Sequence, residues 1–509
     1  MGTVANILKS KIAEHRLKSA PSTGADALQP QDAPGDPTHI QPTNDGEAAA
    51  ADGEIPGLDE ISQEAEAGTK ARQIAGLNET FFVAPWGSAV RIFHETHDYE
   101  LDRPTLDMLT PEGFRLLLRN RLVRVTDKQG NTRHVPLADA WMADTARREY
   151  PNGIAMLPNT QTPLGVYNLY RGLGVEPVSG DVKPALRHIA QVICDGDNKV
   201  AKYIISWCAR AVQCPELPAE VALVLKGGRG TGKGTLGRWL LKIFGAHGLQ
   251  ISQSRHLTGN FNGHLRDCLL LFADESFFAG DKAAESVLKA LITEDTLAIE
   301  RKGVDVVAAR NRLKVVMASN AEWVAPAGPD ERRFCAVKVS DCHKQDHQYF
   351  AALNEHMDNG GLAAFLDFLL KVDISGFNIR AVPSTKALED QKLLSMPPLA
   401  TWLYSRLHEG RLHADDQGWH PKQARDVVCA DFAEFVKSHG LRHVRTDSAT
   451  VGRQLRELVH PIEEGREASG QRRRLWEFPP LDKAREVFAA HMKLEHVGWP
   501  VDDDGGRAE

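Results

Sequence analysis

One stretch leaves this chain little choice of fold. Val221-Ala222-Leu223-Val224-Leu225 is a continuous apolar run, as a parallel strand shows when both of its faces are covered. It feeds directly into Gly227-Gly228-Arg229-Gly230-Thr231-Gly232-Lys233-Gly234-Thr235, and Leu236 to Phe244 then continue at helical spacing. Strand, glycine-rich turn, lysine and helix in this order form a phosphate-binding loop: glycines let backbone N–H groups converge on phosphate oxygens, the helix N-terminus adds its dipole, and Lys233 reaches the β- and γ-phosphates. ATP with Mg2+ is the expected cofactor. The pattern calls for Ser or Thr directly after the lysine, yet Gly234 stands there and the hydroxyl comes one place later. Thr235 is therefore the candidate magnesium ligand, direct or through water.

A phosphate loop alone does not separate a nucleotide kinase from a mechanical ATPase, and a G-K-G-T ending suits both. A second apolar run, Leu269 to Ala273, ends in Asp274-Glu275. One carboxylate can hold magnesium and the next can polarise an attacking water, which favours hydrolysis. A third run, Leu313 to Ala318, ends in Ser319-Asn320, an amide suited to orienting that water. Asp330-Glu331-Arg332-Arg333-Phe334 then opens an apolar strand. Paired arginines there are an ordinary surface feature by themselves. Following the other three motifs, they are candidates for an arginine finger acting on a neighbouring subunit's site.

With these motifs in this order, the chain resembles the superfamily 3 helicases of AAA+ type, and more narrowly the helicase part of phage, prophage and poxvirus-type primase-helicases. Tyr167 to Gly172, Gly259 to Leu265 and Leu288 to Val316 extend the likeness, which covers about residues 77–480. The resemblance implies an α/β fold: an AAA+ P-loop ATPase core, a small N-terminal mixed α/β domain and a C-terminal winged-helix-like module. It implies a homo-hexameric ring on single-stranded or forked DNA, with catalysis by Lys233, Asp274, Glu275 and Asn320. Arg333 is the expected finger and Arg332 its reserve. Between the acidic and asparagine motifs such proteins carry a hairpin that grips DNA. Here Thr296 to Glu300 and Val306 to Arg310 flank Arg301-Lys302-Gly303, placing Lys302 near the tip beside Arg301. Ser448 to Leu458 and Arg472-Arg473-Arg474 suit a recognition helix and wing, although an ordinary solvated surface accounts for both. Primase catalysis needs clustered metal-binding carboxylates. Asp195-x-Asp197 has no convincing companion, so primer synthesis is not expected and a separate primase or polymerase is the implied partner. His94-Glu95-Thr96-His97 and Cys342-His343 lack a recognised metal spacing.

Length and composition settle the surroundings. At 509 residues several units are expected: an acidic, mostly disordered segment over 1–76, the small domain over 77–184, the ATPase domain with its preceding helices over 185–390, the terminal module over 391–498 and an acidic tail over 499–509. Residues 19–69 carry six Asp, five Glu and no Lys or Arg, too few apolar groups to offset chain ordering. That stretch conceals a body that is slightly basic: residues 70–500 carry +4 although the whole chain is -7. Seven cysteines without a C-x-x-C pair fit a reducing cytoplasm, that of a bacterial host where the chain is phage-encoded. No apolar run approaches a membrane span. Two rivals to a helicase remain at this level: a replication initiator or origin-binding protein with little unwinding activity, and a nucleotide kinase. A remodeller acting on protein is a more distant third.

Overall fold

The structure, a computed structural model, describes residues 58–100, 102–126, 131–253, 262–275, 282–301, 304–468 and 472–500. It opens on helix α1 (Leu58–Thr80), whose last turns bury Ile74 and Leu77. Order is expected only from about Leu77, so the helix begins earlier than the composition suggests. Its residues are acidic but rich in Ala, Glu and Gln, and strong helix propensity needs few apolar side chains. The rest of the expected disordered stretch, residues 19–57, lies outside the described residues.

Strands β1 (Phe81–Trp86), β2 (Ala89–Asp98) and β3 (Arg103–Leu109) form an antiparallel meander. Side chains alternate across a strand, and here the two faces serve different cores. Phe81 and Ile92 join Ile74, Leu77, Phe114 and Trp141 in a small core, closed by α2 (Pro111–Leu117), the hairpin of β4 (Leu122–Thr126) and β5 (Thr132–Pro136), and α3 (Leu137–Met142). Phe82, Trp86 and Phe93 face the main core instead. Strands β6 (Ile154–Ala155) and β7 (Tyr167–Asn168) make a short parallel pair beside them.

Helix α4 (Lys183–Arg187) continues into a π-helical turn, His188–Ile193, and Asp197 caps α5 (Asn198–Gln213) by accepting from the N–H groups of Lys199 and Val200. Asp197 is thereby engaged as a cap. The central sheet follows: β8 (Ala222–Lys226), α6 (Lys233–Phe244), β9 (Gly248–Ile251), β10 (Leu270–Asp274), α7 (Lys282–Thr293), the hairpin of β11 (Thr296–Arg301) and β12 (Val304–Arg310), β13 (Lys314–Ser319) and β14 (Phe334–Lys338). The five sheet strands are all parallel in the order β14-β8-β13-β10-β9. Leu223, Leu225, Phe272 and Val316 bury one face, while Val224, Leu271, Val315 and Met317 bury the other. Cover on both faces explains why these strands read as unbroken apolar runs.

Helices α8 (His347–His356), α9 (Leu362–Lys371) and α10 (Lys386–Leu394) complete this part. The terminal module has the order α11 (Pro398–Glu409), β15 (Lys422–Ala424), α12 (Arg425–Ser438), α13 (Ser448–Leu458), β16 (Glu463–Arg466), β17 (Arg474–Glu477) and α14 (Leu481–Met492). It buries its own core of Trp402, Phe432, Leu455, Trp476 and Phe488. No helix among the described residues is long and apolar enough to cross a membrane.

Candidate nucleotide site

Parallel register brings the sequence motifs to one end of the sheet. Lys226 closes β8 opposite Ser319 of β13 on one side and Lys338 of β14 on the other, and Asp274 of β10 lies opposite Ala318. The glycine-rich loop therefore leaves the sheet beside Ser319-Asn320, with Asp274-Glu275 one strand further along. The ends of parallel strands at such a point are where α/β sheets bind ligands.

The loop is shaped by close contacts. Gly230 (φ +75°) and Gly232 (φ +86°) occupy left-handed backbone that disfavours any Cβ. A Cβ on Gly232 would also lie 2.6 Å from Phe350, and one on Gly227 would lie 2.9 Å from Thr231 Oγ1. The Gly227 N–H donates to the Ser319 carbonyl at 3.1 Å, and Thr231 Oγ1 donates to the Gly228 carbonyl at 3.0 Å. Gly228 is half-buried, and Arg229 is exposed at the outer turn. From the N-terminus of α6, the largely buried Lys233 places Nζ 3.2 Å from Glu275 Oε1. Glu275 reaches it because the chain turns sharply after β10: its φ is +53°, and its N–H donates to the Ala318 carbonyl at 2.8 Å. Asp274 is half-buried. Ser319 is consumed by the turn, its Oγ accepting from the Ala321 N–H at 3.1 Å, whereas Asn320 is exposed.

The structure separates two sets of expected residues from this group. Thr235 is 2% exposed, and its Oγ1 accepts from Arg238 Nη2 at 3.3 Å. Arg332 and Arg333 precede β14, and the Arg333 carbonyl accepts from Ala222 N–H at 2.7 Å. They therefore sit at the opposite end of the sheet, about 17 Å from Lys338 at roughly 3.3 Å per residue. Glu331 Oε1 accepts from both arginine N–H groups and lies 3.5 Å from Arg333 Nη1, while Arg332 is exposed. Lys302 and the Arg301 side chain lie outside the described residues. The hairpin that would carry them pairs Thr296 with Arg310 and Arg301 with Val304. Asn262 holds β11 by its edge, donating to the Ala298 carbonyl and accepting from the Glu300 N–H, each at 2.8 Å.

Sequence motifs did not reveal the strap that covers the loop. After β14 the chain returns across it: Gln345 N–H donates to the Gly230 carbonyl at 2.9 Å, Lys344 Nζ lies 3.4 Å from where a Gly228 Cβ would be, and Phe350 closes on Gly232. His188 packs beneath, its Nδ1 3.0 Å from the Tyr349 hydroxyl, and burial pushes its pKa down to about 4. In the histidine-bearing segments without metal spacing, Glu95 is engaged by Arg148 and Tyr167, and His94 stacks on Phe81. Burial raises the Glu95 carboxyl pKa, but those hydrogen bonds outweigh it and hold it below the usual range. His343 stacks on Tyr349 at 3.7 Å.

Comparison with known proteins locates the chain more closely. Residues 225–333, from the end of β8 through the paired arginines, match a family described as of unknown function (DUF5906). Over 209 residues the chain is 29% identical to a DNA primase-polymerase of Nitratiruptor phage NrS-1, a match covering 40% of this chain and 29% of that protein. The chain thus spans less than a third of that relative's length. Two structures of the NrS-1 C-terminal region, both apo, share its fold at a TM-score of 0.55: one is 17% and the other 16% identical, each covering 80% of this chain and 98% of the other.

Proposed function

We propose that this chain is an ATP-hydrolysing DNA translocase of superfamily 3 and AAA+ type, acting as a ring in the replication of a phage or mobile element. The observation that carries the reading is the convergence of the glycine loop, Lys233, Asp274-Glu275 and Ser319-Asn320 at one end of a parallel sheet, with Arg332-Arg333 at the other. One chain supplies everything for phosphate binding and water activation except the arginine. A neighbour in a ring would supply that.

The site suits a nucleoside triphosphate because the glycine loop, with Gly230 and Gly232 in left-handed backbone, runs directly into the N-terminus of α6 beside Lys233. Loop N–H groups and Lys233 bind the phosphates, and a bound γ-phosphate competes with Glu275 for Lys233, freeing that carboxylate to polarise water. Asn320 orients the water and Arg333 of the next subunit meets charge developing in the transition state. Asp274 would hold Mg2+, which would supply neutralisation of phosphate charge when bound; Thr235, the other expected ligand, is buried with its hydroxyl bonded to Arg238. The β11–β12 hairpin would contact single-stranded DNA, with Arg301 and Lys302 the expected contacts from sequence. Similarity to a phage primase-polymerase and to the fold of its C-terminal region supports the replication setting, with a primase or polymerase as partner.

ATP turnover measured with and without single-stranded DNA tests this. Wild type should hydrolyse ATP faster with DNA, and Lys233→Ala should lose at least about a hundredfold, as expected when a principal charge contact is removed. Turnover of Lys233→Ala at the wild-type rate would sink the assignment. The terminal module favours a second reading. Its order of helix, strand, two helices and two strands is that of a winged helix, and Arg453, Arg456, Arg472 and Arg474 are exposed on α13 and around β17. Sequence-specific duplex binding without strand displacement would make the chain an initiator instead.

A further inference from the structure

Helix α6 departs from the usual phosphate-loop pattern at the position where that pattern presents its metal-binding hydroxyl. Gly234 stands there, and Thr235 cannot take over by simple succession. Each residue turns a helix by about 100°, and this turn carries Thr235 into the interior, where its Oγ1 accepts from Arg238 Nη2 at 3.3 Å. The same guanidinium occupies the space that Gly234 leaves. A Cβ at position 234 would lie 2.7 Å from Arg238 Nη1 and 3.6 Å from its Cζ. Arg238 is nevertheless an exposed residue, and among the described residues no carboxylate pairs with it. A fixed positive charge thus stands one turn into the helix that carries Lys233, anchored on one side and open on the other.

We propose that Arg238 is a phosphate-contacting residue of the nucleotide site, its guanidinium standing where the usual loop places a hydroxyl and the metal it holds. Thr235 is then a positioning residue that aims the guanidinium. A planar guanidinium matches phosphate oxygens in pairs and keeps its charge at every working pH. Part of the phosphate charge is therefore neutralised by the protein itself, and ATP binding depends on Mg2+ less than a hydroxyl-bearing loop would require. This inference rests on the nucleotide reading of the site and deepens it.

The test is equilibrium binding of a fluorescently labelled ATP to the full chain, once in excess Mg2+ and once in excess EDTA. Wild-type affinity should fall less than about threefold on removing the metal. Arg238→Ala should bind about tenfold or more weakly in EDTA and be affected much less in Mg2+, the scale of a lost hydrogen bond to a charged group. Arg238→Lys should recover part of the loss. Thr235→Val, which keeps the buried shape, should shift the EDTA-to-Mg2+ ratio in the same direction as Arg238→Ala. Gly234→Ser with Arg238→Ala should restore tight binding only in Mg2+. Equal loss for Arg238→Ala in the two buffers, or no loss in either, overturns the proposal and leaves Arg238 a structural tie. Lys233→Ala separates the two levels: wild type that fails to bind, or Lys233→Ala that binds as tightly as wild type in both buffers, removes the nucleotide site and this inference with it.

Discussion

At the scale of residues, close approach decides more than residue type. Gly237 lies where α6 crosses β10, and a Cβ there would sit 2.4 Å from Cε2 of the fully buried Phe272. Helix propensity alone would make Gly237→Ala stabilising by about 1 kcal/mol, while overpacking a dense core costs about 1 to 3 kcal/mol. Phe272 has no room to yield, so the steric effect wins: urea unfolding should show a net loss of about 2 kcal/mol. His188 makes a pH-dependent contribution. Burial, with His343 and Arg238 nearby, lowers its pKa to about 4, below the unfolded value near 6.5. Its contribution is therefore complete above about pH 6.5 and is lost as pH falls toward about 4, by up to about 3 kcal/mol. Unfolding midpoints of wild type should drop through that window, and those of His188→Gln should drop less. The glycine loop stood out in sequence because left-handed backbone at Gly230 and Gly232 and the close packing of Gly232 restrict residue type there. Arg238 did not, since nothing in the spacing says that the side chain four places after Gly234 folds back over it.

At the scale of elements, the central strands were readable for a physical reason: burial on both faces leaves an unbroken apolar run, and Val221–Leu225, Leu269–Ala273 and Leu313–Ala318 each became a strand within a residue of those limits. The strap over the loop left no such trace, because the bond from Gln345 to Gly230 joins two backbones and makes no demand on side chains. The start of α1 was hidden for the opposite reason, since acidic helix formers resemble disordered sequence in composition. The join between α10 and the terminal module was equally silent, though it is specific. Glu389 is 3% exposed and accepts from the N–H groups of Glu495 and His496 at 2.7 and 2.8 Å, and from His496 Nδ1 at 2.8 Å. Burial raises its pKa, and these bonds outweigh that to hold it down. Glu389→Leu would leave two N–H groups unpaired at about 1 to 3 kcal/mol each. Hydrogen exchange at Glu495 and His496 should then accelerate by about tenfold or more, while amides of β8 and β13 stay protected. Unchanged exchange would mean that apolar packing alone joins the module to the sheet.

At the scale of the whole molecule, the two ends of the sheet impose a division of labour. The glycine loop and acidic pair stand at the carboxyl ends of the strands, and Arg332-Arg333 stand about 17 Å away at the amino end of β14. No adjustment of an arginine side chain spans that distance within one chain, so a finger drawn from this pair must serve a different subunit's site. A ring with such heterologous contacts has a property no monomer shares. On the proposed reading, Lys233→Ala would remove the phosphate contact from a subunit's own site but leave its arginines able to serve the next, and Arg333→Ala would do the reverse. Each variant alone should be inactive. Mixed in equal amounts and allowed to reassemble at random, about one interface in four joins an intact Lys233 to an intact Arg333, so ATP turnover should return to as much as about a quarter of the wild-type rate. Repeating the mixture with Arg332→Ala identifies the finger. Glu331 orients Arg333 through its carboxylate and leaves Arg332 in solvent, which favours recovery with Arg333→Ala and near-normal activity for Arg332→Ala alone. A mixture no more active than its parts would mean that neither arginine acts across an interface, and the ring would lose its main structural argument.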